Sequence, residues 1–404
     1  MIFFAVFCSV LGLLHYYVGR RLFHDTRLPV RLRRSAWTFI AALALSIPAA
    51  FTLGIRGQRV LALWPSRIAY GWLGCLFYLV VIFGARDSLR ALVNAPGQWL
   101  SWLQRLRAGS QAATNAEQAS PHEALSRRVF VARALASASS LAAVSTAGFG
   151  IHAGLGEITT PEVPVRLARL PRALDGFRIA QISDVHIGPM LGERFLRAVI
   201  ETTLRLKPDL IVITGDLVDG SVAVLGHEIG LLSKLRARHG TYFVTGNHEY
   251  YSGCDPWVVF LEQLGIPVLM NERVAIGDSG PGGASFDLLG VPDHHATRYP
   301  AIAPNMQLAA KGRDPERELV VLAHQPVQIA QAVEVGAGLQ LSGHTHGGQI
   351  QPFGALVMLA QPYLAGLHRQ ADTQIYVSRG TGFWGPPMRV LAPAEIATIT
   401  LVAG

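Results

Sequence analysis

The sequence predicts an α/β domain preceded by an all-α membrane region of about four helices. Three observations carry this reading. Four long apolar stretches fall within the first 155 of the 404 residues. Beyond them, five short runs of Val, Ile and Leu each end in a cluster of Asp, His, Asn and Gly. Charge is also divided: residues 1–155 hold 16 Lys and Arg against 4 Asp and Glu, whereas residues 156–404 hold 19 against 23. A boundary between a membrane region (1–155) and an α/β domain (156–404) follows.

The chain is 50% hydrophobic and only 15% charged, which is apolar for a soluble protein. The stretches run from Met1 to about Gly19, Trp37 to Ile55, Ala69 to Ala85 and Val129 to Ile151. A bilayer span needs roughly 20 apolar residues, about 17 at the lower end. The first two stretches fit well and the third is short. The fourth is weakest, because Arg133 lies in its first turn and its residues are small. The basic excess flanks these stretches, so it reads as a topology signal and not as a nucleic-acid surface. The loops rich in Arg (Arg20 to Arg34, and Arg86 to Arg128) are expected in the cytoplasm. Four spans then place the domain at 156–404 on the extracytoplasmic side of a multi-pass inner-membrane protein. Without the fourth span it would face the cytoplasm. Arg127-Arg128 ahead of an apolar run fits a twin-arginine export signal and ordinary flanking charge equally. In the third loop, Trp99, Trp102, Leu103 and Leu106 have helical spacing suited to a membrane surface, and 108–121 reads as a flexible linker. Three cysteines, Cys8, Cys75 and Cys254, offer neither a disulfide framework nor a Cys-rich zinc site.

The five apolar runs read as buried strands. Phe177–Ser183 leads to Asp184-Val185-His186. Asp209–Thr214 leads to Gly215-Asp216-Leu217-Val218-Asp219. Thr241–Thr245 leads to Gly246-Asn247-His248-Glu249. Leu319–Ala323 leads to His324-Gln325-Pro326, and Leu339–Ser342 to Gly343-His344-Thr345-His346-Gly347-Gly348. Leu191–Leu206 has helical periodicity and stops at Lys207-Pro208, and Gly226–Arg238 reads as a second helix. Alternating strands and helices define an α/β domain, whose ligands bind beyond the carboxyl ends of the strands. All five clusters fall at that end, so five loops are expected to converge.

The converging side chains would be Asp184, His186, Asp216, Asn247, His324, His344 and His346. This set of oxygen and imidazole donors without thiolate suits Mn, Fe, Zn or Co. Seven donors exceed one ion's needs and suit two ions sharing a carboxylate. Two ions about 4 Å apart can hold a hydroxide between them and clamp a phosphoryl group.

In that order the clusters resemble the calcineurin-like metallophosphoesterase superfamily, whose pattern is D-x-H, G-D-x-x-D, G-N-H-[DE], a lone H and G-H-x-H. The resemblance covers roughly residues 165–402. It is nearest to a membrane-associated phosphodiesterase branch with G-H-T-H-G-G-Q, which includes twin-arginine-exported proteins and relatives acting on UDP-diacylglucosamine. It implies a four-layer α/β/β/α sandwich. By position, Asp184, His186 and His346 would hold one metal, Asp216 would bridge, and Asn247, His324 and His344 would hold the other. His248 would be a catalytic group beside the phosphate that protonates the leaving oxygen. Asp219 and Glu249 would orient histidines. The implied activity is hydrolysis of a phosphoester by two divalent metal ions and a hydroxide. An integral membrane anchor points to a phospholipid, a lipid-linked diphosphate or another envelope phosphodiester. A phosphomonoesterase or protein phosphatase is the alternative enzyme, and a membrane sensor that keeps the fold is the alternative without turnover. His294 and His295 could line the cleft or an exposed loop; Trp384 and Arg389 could touch substrate or pack. Residues 277–284 read as a hairpin turn.

Overall fold

The computed structural model describes residues 2–55, 59–107, 121–278, 280, 283–298 and 302–404. It divides into two compact units, Met1–Phe51 with Ile68–Phe149, and Thr52–Arg67 with Gly150–Gly404.

Four N-terminal helices precede the sheets: α1 (Ile2–Gly19), α2 (Val30–Ile55), α3 (Arg59–Arg107) and α4 (Pro121–Gly154). Among the described residues, Trp64–Pro96 and Val129–Gly154 are long and apolar enough to cross a membrane by length and composition. Only 33% and 17% of these windows is buried, so most of their apolar surface faces outward, unlike a soluble core helix. The expected loop at 86–107 is a continuation of α3. Arg86 to Ala95 contains no Gly or Pro, and its Leu, Ala and Arg residues propagate a helix. Trp99 and Trp102 therefore lie on α3. The expected linker at 108–120 and the loop arginine Arg56 lie outside the described residues. Some of the charges in this region are paired. Asp87 accepts from Tyr17 (2.6 Å) and pairs with Arg21 at 2.7 Å. Arg133 donates through Nε to the carbonyl of Thr26 at 3.0 Å, which satisfies the one cation inside the fourth apolar stretch.

The second unit contains β1 (Glu162–Leu167), β2 (Phe177–Ile182), β3 (Leu210–Ile213), β4 (Thr241–Phe243), β5 (Glu272–Gly277), β6 (Ser285–Gly290), β7 (Leu319–Leu322), β8 (Leu339–Ser342), β9 (Gly366–Gln370), β10 (Thr373–Val377) and β11 (Ala397–Ala403). They form one sheet of order β1-β11-β2-β3-β4 and another of order β5-β6-β7-β8-β10-β9. β2, β3 and β4 are parallel, as are β6, β7 and β8. The parallel registers bring the carboxyl ends of β2–β4 together in one sheet and those of β7 and β8 together in the other.

The sheets face each other. Ile179, Leu210 and Val212 of the first pack with Leu288, Val320, Leu322 and Leu341 of the second in one buried cluster. Outside the first sheet, α5 (Glu193–Arg205), α6 (Val222–Ile229), α7 (Asn247–Ser252) and α8 (Cys254–Gln263) follow in chain order. Leu196, Leu225, Trp257 and Leu261 from α5, α6 and α8 join the cluster on that face. Outside the second sheet, α9 (Met306–Ala309) and α10 (Ile329–Glu334) supply Met306, Ile329 and Ala332. The packing is thus helix, sheet, sheet, helix. The central strands β2, β3, β6, β7 and β8 are covered on both faces, which is why they read as unbroken apolar runs and not as alternation.

The second predicted helix is displaced. α6 starts at Val222 and ends at Ile229, and Gly230–Lys234 tightens into a 3₁₀ turn. Gly226 and Gly230 are weak helix formers, and the helix persists only while Leu225, Ile229 and Leu232 stay buried. The expected hairpin is present, β5 pairing antiparallel with β6 from Gly277↔Ser285, although residues 279, 281 and 282 lie outside the described residues.

Candidate metal centre

The three loops that follow β2, β3 and β8 are stitched together by their backbones. The Asp184 amide donates to the Gly215 carbonyl (3.0 Å), His186 to Asp216 (3.1 Å) and Ile187 to Leu217 (2.9 Å). The His344 amide donates to both oxygens of the Asp184 carboxylate at 3.0 and 3.1 Å. Within this frame, Asp184, His186, Asp216, His344 and His346 all have left-handed backbones, with φ between 51° and 70°. Asp and His enter that region more readily than most residues, at a cost of order 1 kcal/mol each. The conformation turns each side chain sharply off its strand end into one place.

Three groups of donors lie close enough to share ions: Asp184, His186 and His346; His186, Asp216 and His248; and Asp216, His324 and His344. His186 Nε2 faces His346 Nε2 at 3.1 Å, and His344 Nδ1 faces His324 Nε2 at 3.2 Å. With metal–nitrogen bonds of about 2.1 Å, ligands at right angles on one ion stand about 3 Å apart. Asp216 Oδ2 lies 3.2 Å from His324 Nε2 and 3.8 Å from His186 Nε2, between the two imidazole pairs. Asn247 supplies a further sign: its Oδ1 is buried without a hydrogen-bond partner. A buried carbonyl oxygen in that state is costly unless it meets a cation. The donor set therefore fits divalent metal ions.

The surrounding groups hold these donors in place. His324 Nδ1 lies 2.7 Å from the Thr214 carbonyl, leaving Nε2 for an ion. Asp219 Oδ1 lies 3.1 Å from His186 Nδ1 and 2.6 Å from His248 Nδ1, the carboxylate–imidazole arrangement that orients a ligand. Glu249 does something else. Its carboxylate accepts from the backbone amides of Gly246 (2.6 Å), Asp216 (3.0 Å) and Leu217 (2.8 Å) and touches no histidine ring. The expectation that it orients a histidine is corrected. Three amide donors converge on its position at the start of α7, and their bonds tie the Asp216 turn to the Asn247 turn.

Electrostatics follow from burial and crowding. Burial, and then the neighbouring His324 charge, lowers His344 to about 3; burial likewise lowers His346, with His186 and Arg389 adding to it. Both imidazoles are thereby kept neutral, with lone pairs available. Burial alone would raise Asp216, but His324 and His248 outweigh it and hold the carboxyl well below its usual range. Burial alone would lower His248, but the Asp216 and Asp219 carboxylates outweigh it and hold it at about 9.

The site also uses residues that sequence reasoning underweighted. Arg389 is fully buried and donates to the carbonyls of Arg379 (2.7 Å), Ala392 (2.9 Å) and Gly380 (3.1 Å), while its Nη2 lies 3.3 Å from His346 Nδ1. It packs, and it braces the loop behind His346. A single charge inside the apolar run Pro386–Leu391 was its signal. Trp384 remains half exposed, and its ring lies 5.9 Å from that of His248. Tyr251 stands 5.3 Å from His248, and His295 5.2 Å from Tyr251. His295 thus joins an aromatic rim beside His248, while His294 is exposed.

The profile of the calcineurin-like phosphoesterase family matches residues 177–348. A metallophosphoesterase of Helicobacter pylori is 40% identical over 255 residues, covering 63% of this chain and 66% of that protein. A Bos taurus transmembrane protein with metallophosphoesterase domain is 40% identical over 61% of this chain and 57% of its own length. The chain thus spans about two thirds or less of these two relatives. A Bacillus subtilis metallophosphoesterase is 32% identical over 69% of this chain and 98% of its own length. With that coverage, and with the motif order and the double-sheet packing in agreement, the chain belongs to the calcineurin-like metallophosphoesterase family.

Proposed function

We propose that this protein is a membrane-anchored phosphodiesterase or pyrophosphatase that uses two divalent ions to hydrolyse a phospholipid, a lipid-linked diphosphate or another envelope phosphodiester. The observation that carries the reading is the position of Asp216, whose carboxylate belongs to two of the three donor groups. Asp184, His186 and His346 would hold one ion, Asn247, His324 and His344 the other, and Asp216 both. Bound there, such ions polarise a phosphoryl oxygen and bring the pKa of water toward neutrality. The remaining work falls to the chain. His248, tied through Nδ1 to Asp219, holds a proton for the leaving oxygen and stands at the open edge of the site. Glu249 and Arg389 keep the ligand loops fixed, so that little reorganisation accompanies reaction.

Tyr251 and Trp384 stand with ring centroids 5.3 and 5.9 Å from that of His248, large side chains that support a substituent on the leaving side of a diester over a bare monoester dianion. The apolar helices and the transmembrane-named relative support a membrane anchor. In this reading α1–α4 all span an inner membrane, and the catalytic domain lies on the extracytoplasmic side. The test is hydrolysis of bis-p-nitrophenyl phosphate and p-nitrophenyl phosphate by detergent-solubilised protein, after chelation and after Mn is restored. Metal-restored cleavage of the diester in preference to the monoester is expected. Preference for the monoester would overturn the diesterase assignment, and absence of turnover in protein holding two ions would overturn the enzymatic one.

A further inference from the structure

The loop after the last metal-ligand motif makes an excursion that the proposed chemistry does not use. No Asp, Glu, Lys or Arg occurs between Glu334 and Arg369. Both ends of the excursion are pinned at the metal centre. Gln351 Nε2 donates to the Gly347 carbonyl at 2.9 Å, and Thr345 Oγ1 donates to the Leu364 carbonyl at 2.6 Å. Gln361 reaches the side chain of Gln325, next to His324, at 3.0 Å. Between these ties, the short helix α11 (Gly354–Val357) and the turn after it expose Leu356, Met358 and Leu359, the last by 83%.

A second strip lies beside the first. Ile350 bridges to Val390, and Gln349 Nε2 donates to the carbonyls of Trp384 (2.9 Å) and Pro386 (3.0 Å). That strip presents Trp384 and Leu391, and Leu391 is 82% exposed with φ of 59°. With Leu356, Met358 and Leu359 these residues make an exposed apolar surface larger than scattered single side chains, the kind that marks an interaction site.

The identity of the partner follows from what adjoins this strip. The Arg389 amide donates to the Gly150 carbonyl at 2.9 Å, and a side chain at Gly154 would meet the backbone of Pro387 and Met388. Gly150–Gly154 is the end of the apolar segment Val129–Gly154. At 1.5 Å per residue, the contact lies within about 6 Å of where that helix finishes. If the helix crosses a bilayer, this strip stands at the bilayer surface.

We propose that Leu356, Met358, Leu359, Trp384 and Leu391 seat on the lipid bilayer where α4 leaves it. The substrate class this points to is a phosphoester held in the membrane. The substrate class rests on the phosphoesterase reading; the docking does not.

The test uses full-length protein in phosphatidylcholine–phosphatidylglycerol vesicles, with Cys8, Cys75 and Cys254 changed to Ser. An environment-sensitive fluorophore is placed at Leu359→Cys, or at Glu316→Cys ahead of β7, the strand end opposite the site. Docking predicts blue-shifted emission at 359 that doxyl-labelled lipid quenches strongly, and water-like, unquenched emission at 316. Water-like emission at both positions overturns the proposal. So does a 359 probe shielded from iodide yet untouched by doxyl lipid, which would show a protein surface, such as a second copy, covering the patch. In the unaltered cysteine background, Trp384→Phe should reduce the tryptophan emission that brominated lipid quenches; an unchanged quenched fraction counts against docking. Bis-p-nitrophenyl phosphate turnover is measured on the same samples. Turnover with the 359 probe in water removes docking alone, and lipid quenching without turnover removes the phosphoesterase reading alone.

Discussion

Replacing Glu249 tests how the centre is held together. Its carboxylate is almost completely buried and accepts three backbone amides, two on Oε2 and one on Oε1. Glu249→Ala removes both acceptor oxygens and leaves all three amides unpartnered. A buried donor left without a partner costs about 1–3 kcal/mol, so even the low end gives about 3 kcal/mol. For a domain of 150–250 residues each kcal/mol shifts Tm by about 2–4 °C, so a fall of at least about 6 °C is expected. Glu249→Gln keeps one acceptor oxygen but turns an NH₂ group toward at least one amide N–H. It should therefore fall between wild type and Ala. The assay is thermal unfolding of the detergent-solubilised protein with bound metal measured on the same samples. Because the amides belong to the Asp216 and Asn247 turns, metal content should fall with stability. A Glu249→Ala protein with wild-type Tm and metal content would refute the structural role, and a Gln variant less stable than Ala would refute the amide-acceptor argument.

Three further outcomes follow from the same geometry. Asp216→Asn removes the shared carboxylate charge and should lower metal occupancy and turnover by at least about 100-fold, the upper end for loss of a group behind a ligand; elemental analysis with bis-p-nitrophenyl phosphate kinetics checks it. His248→Ala should lower turnover by about 10²–10⁴-fold and leave metal content intact, and loss of metal there would show that His248 is a ligand. Asp219→Ala, which frees both His186 and His248, should cost about 10–100-fold in activity or metal affinity, and a titration of metal-depleted protein against Mn would separate the two effects.

How much of this was legible depended on burial. β2, β3, β4, β7 and β8 have both faces covered, so each shows as an unbroken apolar run ahead of its polar cluster, and the clusters they carry are those that meet in space. β9 alternates half-buried and exposed residues and contains His368 and Arg369, so it carries no such signal. β1 and β11 pair across more than 230 residues, a contact that no local pattern encodes. Glu249 was visible as a neighbour of the motif, but its partners are backbone amides, which have no identity in a sequence. Arg389 was visible only as an isolated charge. The helical continuity of α3 through Arg86 is hidden from hydropathy, because charge ends an apolar stretch whereas helix formation depends on propensity and not on polarity.

The left-handed ligands explain why such a centre sits on a double-sheet sandwich. Five ligand residues in that region, at order 1 kcal/mol each, add up to about 5 kcal/mol, comparable to the lower range of whole-domain stability. Isolated loops could not hold that conformation. Here each strained residue follows a strand buried on both faces, and the loops hydrogen-bond to one another beyond the strand ends. Glycine fits where these loops approach most closely: a side chain at Gly246 would collide with Asp216, and one at Gly343 with Ser183 and Asp184. The sandwich core, the Glu249 amide bonds and the buried Arg389 together offset the strain. The donors are thereby fixed before any ion arrives, and this preorganisation lets a cluster without thiolates gather seven candidate donors from five loops.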